Sequence, residues 1–462
     1  MGIELMIGGS ILGGILMLVG KSGIEEVYGG SIVKKVGLGV SLLVYVVSVY
    51  LWMEFIMGGE IRTEVGGVRF MIDGISIYFI LLTTLLTPIC ILGMWNKKGS
   101  IGNMALFLIL EGLVIGVFTV MDILCFYVFF EGVLIPMYLI IGRGGSRERK
   151  IRAGYYLFVY TLAGSVLMLF GIMLIYMEVG SLDYETVLNS GLEREKLLWI
   201  LFFVSFMVKI PMIPVHIWLP EAHVEAPTEG SVILAGVLLK LGSYGLIRYS
   251  VGLFGMGGVY FIPLVYVLSM VGIVYSSLTA IRQTDIKRII AYASVAHMNM
   301  TVVGLYSGVV EGYNGSILQM LSHGIVSGGL FLCVGIVYDR MHSRQVLDYS
   351  GLIRMMPVYG VVFMVLTLAN IGLPGTSSFV GEFLILEGIF EANKFVGVIS
   401  GSSMVLGGCY ALWLFNRVMY GNIKGSILED INKRELSMLV PLLFIVVVMG
   451  VNPSMFLDII GS

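Results

Sequence analysis

The stretch Phe206–Gly230, FMVKIPMIPVHIWLPEAHVEAPTEG, holds one lysine, two histidines, three glutamates and four prolines between two long apolar halves of the chain. Its first half is apolar enough to be buried in lipid, where a charged side chain is costly. Because Pro211 and Pro214 closely follow Lys209, the pattern predicts a membrane helix that is broken beside a buried charge. From Pro220 onward we expect a turn outside the membrane.

The composition around this stretch is typical of a polytopic helical membrane protein. The 462 residues are 58% hydrophobic and 13% charged, and the mean hydropathy is +0.96. A net charge of −2, with the basic residues spread over short loops, predicts no binding of nucleic acid. The four cysteines lie singly in apolar segments without metal-binding spacing, and we interpret them as small core residues: Cys90, Cys125, Cys333 and Cys409.

The apolar runs predict an all-α polytopic membrane protein with about 14 transmembrane helices. We number them span 1 to span 14 in chain order. They cover residues 3–20, 36–57, 74–94, 103–120, 122–142, 153–177, 197–219, 228–250, 259–281, 286–308, 315–338, 357–391, 395–420 and 437–457. Span 12 is long enough to consist of two half-helices.

The distribution of lysine and arginine predicts the orientation. Loops after odd-numbered spans contain 20 of the 28 basic residues, and loops after even-numbered spans contain 6. The positive-inside rule therefore places the odd loops in the matrix or cytoplasm and both termini on the opposite side. The two remaining basic residues, Lys209 and Lys240, are predicted inside the membrane.

Two of the spans contain clusters of helix-breaking residues. Span 7 contains Pro211 and Pro214, and span 12 contains the run Gly372-Leu373-Pro374-Gly375. Paired broken helices five spans apart are typical of transporters built from repeats. Pro and Gly are also common in membrane helices for other reasons, so the spacing alone leaves this question open.

Eight ionisable side chains fall within the spans: Glu111, Glu131, Lys209, Lys240, His297, His323, Glu382 and, less deeply, Glu387. At about 2.5–3.5 kcal/mol for each central charge, the lysines and glutamates would cost on the order of 15 kcal/mol if unpaired. Such residues indicate an ion or proton pathway, and the alternative is a set of structural salt bridges between helices. One pair would suffice for architecture, which favours the pathway for the set.

Local patterns suggest how these groups are arranged. In span 11, Ser316, Gln319, His323 and Ser327 form one polar stripe on an apolar helix. The stripe is suited to lining a file of water or, alternatively, to hydrogen-bonded helix packing. His297 could relay protons as a neutral imidazole or be a satisfied core histidine. Glu131 is the expected partner of Lys209, since moving the two charges apart would free the lysine to release its proton.

The sequence contains no motif for metal-dependent, nucleotide-dependent or nucleophilic chemistry. His216 and His223 do not form a zinc-protease motif, and residues 14–22 resemble a phosphate-binding loop with incorrect spacing at the end of an apolar span. We also find no nucleotide-binding fingerprint, cofactor-attachment motif or nucleophile elbow. The energy for any transport is therefore expected to come from outside this chain.

The region 208–245 and three other stretches carry a resemblance to a known family. Together with FYVFFEGVLIPMYLIIG at 126–142, RQTDIKRIIAYASVAHM at 282–298 and LANIGLPGTSSFVGEF at 368–383, it resembles the antiporter-like, proton-translocating membrane subunits of respiratory complex I, NADH–ubiquinone oxidoreductase. The resemblance covers nearly the whole chain. It implies two inverted five-helix repeats with broken helices 7 and 12.

The resemblance also implies domains and site residues. The expected domains are 1–103, three N-terminal helices; 104–250, the first repeat; 251–420, the second repeat; and 421–462, the C-terminal helix. The proton-translocating residues would be Glu131, Lys209, Lys240, His297, His323 and Glu382. At the position of Glu382, two sister subunits and related cation/proton antiporters usually have lysine. The glutamate here therefore favours the third type of antiporter-like subunit. Glu221 and Glu229 depart from the usual pattern and receive no role.

The family further implies partners, cofactors and location. We expect no cofactor on this chain, with NADH, FMN, iron–sulfur clusters and ubiquinone bound by partner subunits. The partners would be other complex I membrane subunits, antiporter-like chains 2 and 5 with the lateral helix of the latter, accessory subunits and membrane lipids. The basic loop at 145–152 and the absence of a presequence pattern favour the mitochondrial inner membrane, with a bacterial plasma membrane as the alternative.

Two other functions remain open at this stage. The chain could belong to a stand-alone sodium/proton antiporter complex, against which Glu382 argues. It could also be a structural membrane subunit that conducts nothing. Copurification with NADH dehydrogenase subunits and the effect of neutralising Lys240 distinguish these alternatives.

Overall fold

The structure is a computed structural model that describes residues 2–23, 31–97, 99–145, 148–423 and 428–460. Helices lie at all fourteen predicted span positions within these ranges. Three basic residues of the predicted inner loops, Lys98, Arg147 and Lys424, lie outside the described residues, as does Ser146 of the basic loop.

Eleven helices of the described chain are long and apolar enough to cross a membrane, which confirms the polytopic helical class. They correspond to spans 1–6, 8, 9, 11, 13 and 14. Their ranges are Gly2–Gly20 (within a helix Gly2–Gly23), Ser31–Gly58, Ser76–Gly93, Ser100–Thr119, Ile123–Gly144, Lys150–Val179, Thr228–Val251, Gly255–Arg282, Val310–Met341, Lys394–Met419 and Lys433–Val451. Short helices also occur at Tyr184–Ser190, Leu352–Met355 and Ser454–Ile460.

The other three spans are interrupted or polar. Span 7 consists of the helices Glu195–Lys209 and Trp218–Glu225, and span 12 of Pro357–Ile371 and Ser377–Ala392, so both predicted breaks are present. Span 10 is a continuous helix, Ile286–Leu305, that carries polar residues.

The expected turn from Pro220 onward is wrong, because this proline lies inside the helix Trp218–Glu225. It occupies the third helical position, where a backbone N–H has no partner within the helix in any case. Proline is therefore tolerated there, and the chain leaves the helix at Ala226.

A small β-hairpin interrupts the otherwise helical architecture. Strand β1, Ile61–Val65, pairs antiparallel with strand β2, Val68–Ile72. The connecting Gly66 and Gly67 both have positive φ, 59° and 83°, as a two-residue hairpin turn requires. The all-helical prediction missed this element, although a Gly-Gly pair between alternating residues was a usable signal.

Spans 8 and 11 form the centre of the protein. In the most apolar part of Thr228–Val251 and of Val310–Met341, 100% of the residues are buried. In the most apolar part of Ser31–Gly58, only 28% of the residues are buried. Val310–Met341 packs against Ser377–Ala392 and Ile286–Leu305. The polar stripe of span 11 therefore faces protein from several sides, and the exposed apolar faces lie on the outer helices.

Candidate functional site

Lys240 lies at the most buried part of the molecule, in the helix Leu239–Gly245 between two π-helical segments, Leu234–Leu238 and Leu246–Val251. Its side chain is fully buried. The ammonium donates a 2.6 Å hydrogen bond to the carbonyl of Ala235, within the first π-helical segment. π-Helical turns often occur at functional sites, and this one supplies a carbonyl acceptor in an apolar interior.

The second contact of this lysine is with a histidine of span 11. The Nζ atom of Lys240 lies 2.8 Å from Nδ1 of His323. A charged ammonium can only donate, so with a charged lysine Nδ1 is the acceptor and the imidazole is neutral. Among the described residues, Nε2 of His323 has no hydrogen-bond partner. The contact is short enough for a proton to pass between the two nitrogens.

Beyond His323, the chain of polar groups continues to His297 and Glu382. The two imidazole rings are 5.8 Å apart between centroids. Nδ1 of His297 lies 3.1 Å from Oε1 of Glu382. Gln319 joins the same group, because its Nε2 lies 3.1 Å from that carboxylate oxygen and 3.4 Å from Nδ1 of His297. Four predicted site residues are thus brought together, and Gln319 is an additional member.

The break in span 12 shapes the position of Glu382. Gly372 ends the first half-helix with φ +82°, which is unfavourable for residues that have a Cβ. A Cβ at this glycine would lie 2.8 Å from Oε2 of Glu382. The carboxylate therefore occupies the space that a side chain at position 372 would fill. Glu387 lies on the same helix with an exposed side chain, outside this group.

Lys209 and Glu131 are placed in a separate group at the break in span 7. The ammonium of Lys209 donates to the carbonyl of Phe130 at 3.2 Å and lies 4.2 Å from the centroid of that residue's ring. Glu131 attracts the charge of this lysine. Its Oε1 atom is buried and has no hydrogen-bond partner within the described ranges. The two expected partners are therefore neighbours whose charges interact without a direct salt bridge in the described structure.

The backbone groups freed by the break in span 7 have partners. The indole N–H of Trp218 donates to the carbonyl of Val208 at 2.9 Å, and the N–H of Met212 donates to the carbonyl of Met207 at 2.9 Å. A broken membrane helix must satisfy such groups internally. Trp218 therefore supports the turn that follows Lys209.

The polar stripe of span 11 divides between two uses. Gln319 and His323 belong to the group described above. In contrast, the hydroxyl of Ser316 lies 2.7 Å from the carbonyl of Gly312 in its own helix and 2.9 Å from that of Thr301 in span 10. Ser327 donates to the carbonyl of His323 at 2.5 Å. Bonds within the helix and to a neighbouring helix thus account for both hydroxyls.

Other buried charges lie apart from both groups. Glu111 is fully buried, and neither carboxylate oxygen has a hydrogen-bond partner among the described residues. Arg248, partly buried near the end of span 8, forms a salt bridge with Asp73. Within the described chain, no group of three or more His, Cys, Asp or Glu residues could hold a metal ion.

The sequence of this chain matches a known protein family. Residues 120–407 match the family described as "NADH:quinone oxidoreductase/Mrp antiporter, TM". This range contains all six predicted site residues.

Individual relatives agree with the family match. The chain is 48% identical to NADH-ubiquinone oxidoreductase chain 4 of Prototheca wickerhamii, over 99% of this chain and 92% of the relative. It is 46% identical to NADH-quinone oxidoreductase subunit M of Rhodobacter capsulatus, over 88% of this chain and 83% of the relative. A chain in the structure "Respiratory complex I from Thermus thermophilus with bound NADH" is similar with a TM-score of 0.89 and 28% identity, and 100% of each chain is covered.

Proposed function

The chain belongs to the NADH:quinone oxidoreductase/Mrp antiporter family, and on that basis we propose that it is a membrane-arm subunit of respiratory complex I that translocates protons. Electron transfer from NADH to ubiquinone in other subunits drives the transport. NADH, FMN, iron–sulfur clusters and ubiquinone are bound by those subunits. The chain is thus part of an NADH:ubiquinone reductase and contributes no redox centre of its own.

Its location and neighbours follow from the same assignment. The chain is a multi-pass protein of the mitochondrial inner membrane, as its similarity to mitochondrial chain 4 proteins supports. Its direct neighbours are antiporter-like chains 2 and 5, the lateral helix of the latter, accessory subunits and lipids. The exposed apolar faces of the outer helices supply the surface for these contacts.

We assign the proton path to the two groups of buried charge. Glu131 and Lys209 form its first part, and Lys240, His323, His297 and Glu382 form its second part. The observation that carries the assignment is the fully buried contact between Lys240 and His323, with Glu382 2% exposed at the far end of the group. A bridging water or a turn of one ring would complete the step between the two histidines.

The energetics of this path are consistent with control by charge. Moving one proton against 100 mV requires about 2.3 kcal/mol. Removing one charge of a buried ion pair changes the free energy by about 3–5 kcal/mol. A change of charge at one pair is therefore large enough to drive the movement of a proton at a neighbouring pair. The pair Glu131 and Lys209 is suited to this control because its charges attract each other without being locked in a hydrogen bond.

We also propose that residues 104–250 and 251–420 are the two inverted repeats, flanked by 1–103 and 421–462. Each proposed repeat contains one interrupted helix, span 7 in the first and span 12 in the second. Each break lies next to a proposed proton-carrying residue, Lys209 or Glu382. Interrupted helices at corresponding positions favour a repeat architecture.

The test of this function is the variant Lys209→Met in the assembled complex. Methionine retains the apolar length of the side chain and removes the titratable group, so proton pumping per NADH oxidised should fall by about tenfold or more. The measurement is acidification of closed membrane vesicles, normalised to the amount of complex. Lys196→Met is the matched control, because this lysine is exposed on the same span.

Two results would contradict the proposal. Unchanged pumping with Lys209→Met would remove this lysine from the path. Purification of the chain without NADH dehydrogenase subunits would instead favour a stand-alone antiporter.

A further inference from the structure

A further cluster of charge, separate from the two groups described above, lies in a cavity of about 580 Å³ at the predicted inner face. The walls come from the ends of spans 3, 4, 5, 8, 10 and 11 and the loops beside them. Its charged lining consists of the cations Lys97, Arg143, Lys287 and Arg344 and the carboxylates Glu229 and Asp339, together with His342. The lining therefore holds four basic side chains against two carboxylates.

Only some of these charges are paired. Lys97 forms a 2.7 Å salt bridge with Glu229. Burial acts to lower the pKa of Lys97, but the carboxylates of Glu229 and Asp339 together outweigh it, so the pKa is raised and this lysine is cationic at neutral pH. Lys287 is 3% exposed and donates to neutral groups, the carbonyl of Ala226 at 2.9 Å and, more weakly, the hydroxyl of Ser231 at 3.4 Å. Its charge therefore has no anionic hydrogen-bond partner in the described structure.

Arg344 is the least satisfied of these cations. Its side chain is 3% exposed, and its Nε and Nη2 atoms are buried without a hydrogen-bond partner among the described residues. Asp285 lies 4.0 Å from Nε, beyond hydrogen-bonding distance. A guanidinium carries five N–H donors, and leaving the three on Nε and Nη2 buried and unpaired is costly. These donors therefore indicate an acceptor in the cavity.

The cations also repel one another. Arg344 and Lys97 oppose the charge of Lys287, whereas the carboxylates of Glu229 and Asp285 favour it. An anion between the two buried cations would remove this repulsion and supply acceptors to the free N–H groups. Phosphate oxygens match the planar fork of arginine. Basic pockets at the inner ends of membrane helices are suited to lipid phosphates.

We propose that this cavity binds an anionic phosphate group, held between Arg344 and Lys287. The volume is in the range of small-molecule sites. Exposed Arg143 lies at its mouth and attracts the anion from the surface. The phosphate belongs either to an anionic phospholipid headgroup or to free inorganic phosphate, since both present negatively charged non-bridging oxygens. The site is separate from the proton path of the preceding section.

The test compares the assembled wild-type complex with the variant Arg344→Gln. In one arm, equilibrium dialysis with radiolabelled inorganic phosphate is carried out at constant ionic strength in chloride. In the other arm, the complex is incubated with phosphatidylglycerol, washed with detergent, and its retained phospholipid is counted. Wild type should bind about one more equivalent than the variant in one of the arms, which also identifies the source.

Arg354→Gln is the matched control, because Arg354 is an exposed arginine outside the lining of the cavity. It should bind as wild type does. If Arg344→Gln does not assemble, Arg143→Gln replaces it, and this change at the rim should weaken binding by about two- to fivefold. Equal binding by wild type and the cavity variant in both arms, or an equal loss in the control, would overturn the proposal.

Discussion

The two groups of buried charge differ in how their members are joined. In the group at span 7, the ammonium of Lys209 rests on a carbonyl and a ring of Phe130, and Glu131 acts on it only through its field. In the group at the centre, Lys240 touches His323 directly, and His297 touches Glu382. The first arrangement suits charges whose separation changes, and the second suits stepwise passage of a proton.

The largest effect is expected at the point where the central group begins. Lys240→Met should reduce proton pumping per NADH by about tenfold or more, because it removes a fully buried lysine and leaves Nδ1 of His323 without its donor. Assembly should be retained, since methionine is cheaper than an ammonium to bury. Vesicle acidification and the subunit content of the purified complex are the two measurements.

The control for this variant is Lys394→Met, which removes an exposed lysine at the start of span 13. It should pump as wild type does. Loss of the chain from the complex with Lys240→Met, with normal pumping in whatever assembles, would mean that this lysine is structural. The central group would then lack the lysine at which its proton path is proposed to begin.

A smaller effect should distinguish residues in direct contact from residues that interact only through the electric field of their charges. We expect His297→Gln and Glu382→Asp to be strongly coupled, with about 0.5–3 kcal/mol of interaction energy in a double-mutant cycle on pumping rate. Lys209→Arg and Glu131→Asp should show a smaller coupling, because no direct salt bridge joins the pair in the described structure. Conservative changes keep enough residual rate to measure all four corners of each cycle. Equal coupling energies would contradict the distinction between the groups.

The matched control for the central cycle is Glu387→Gln. This glutamate lies five residues after Glu382 on the same helix, and its side chain is exposed. Because five residues correspond to well over one turn, it points away from His297. Its substitution should leave the pumping rate unchanged and show no coupling to His297→Gln.

Next in size is a backbone change beside the central carboxylate. Gly372→Ala should lower the stability of the complex by about 1–2 kcal/mol, because an L-residue is strained at φ +82°. Its methyl group would also displace Oε2 of Glu382, which lies 2.8 Å from the added atom, so pumping should fall as well. Thermal inactivation and pumping are both measured. Gly408→Ala is the control, since its added Cβ meets an ordinary contact at 3.9 Å.

Part of this architecture was predictable from residue types, and part depended on contacts distant in sequence. Apolar run lengths predicted the spans, and Pro211 and Pro374 marked the two breaks, because both signals are local. The burial of Lys287 and Arg344 was not predictable, since each lies at a span end that only the packing of several helices encloses.

The connections within the site were likewise beyond a single sequence. His323 and Glu382 were identifiable as costly intramembrane residues, whereas the separation of the site into two groups depends on how spans 8, 10, 11 and 12 meet. The π-helical segment before Lys240 had no local signal, because π-helical turns arise from packing rather than from propensity. Gln319 appeared only as part of a stripe, and its contacts with both His297 and Glu382 make it a member of the site.

The smallest predicted effect on pumping lies at the break in span 7. Trp218→Phe retains an aromatic ring and removes the N–H that donates to the carbonyl of Val208. Leaving this buried carbonyl unpaired should cost about 1–3 kcal/mol and lower the temperature of half-inactivation of pumping by about 1–3 °C. Trp413→Phe, at a tryptophan that is 39% exposed on an outer helix, should have no such effect. A stable Trp218→Phe complex with reduced pumping would instead mean that the indole positions Lys209 for transport, which would make the first group as dependent on direct contacts as the second.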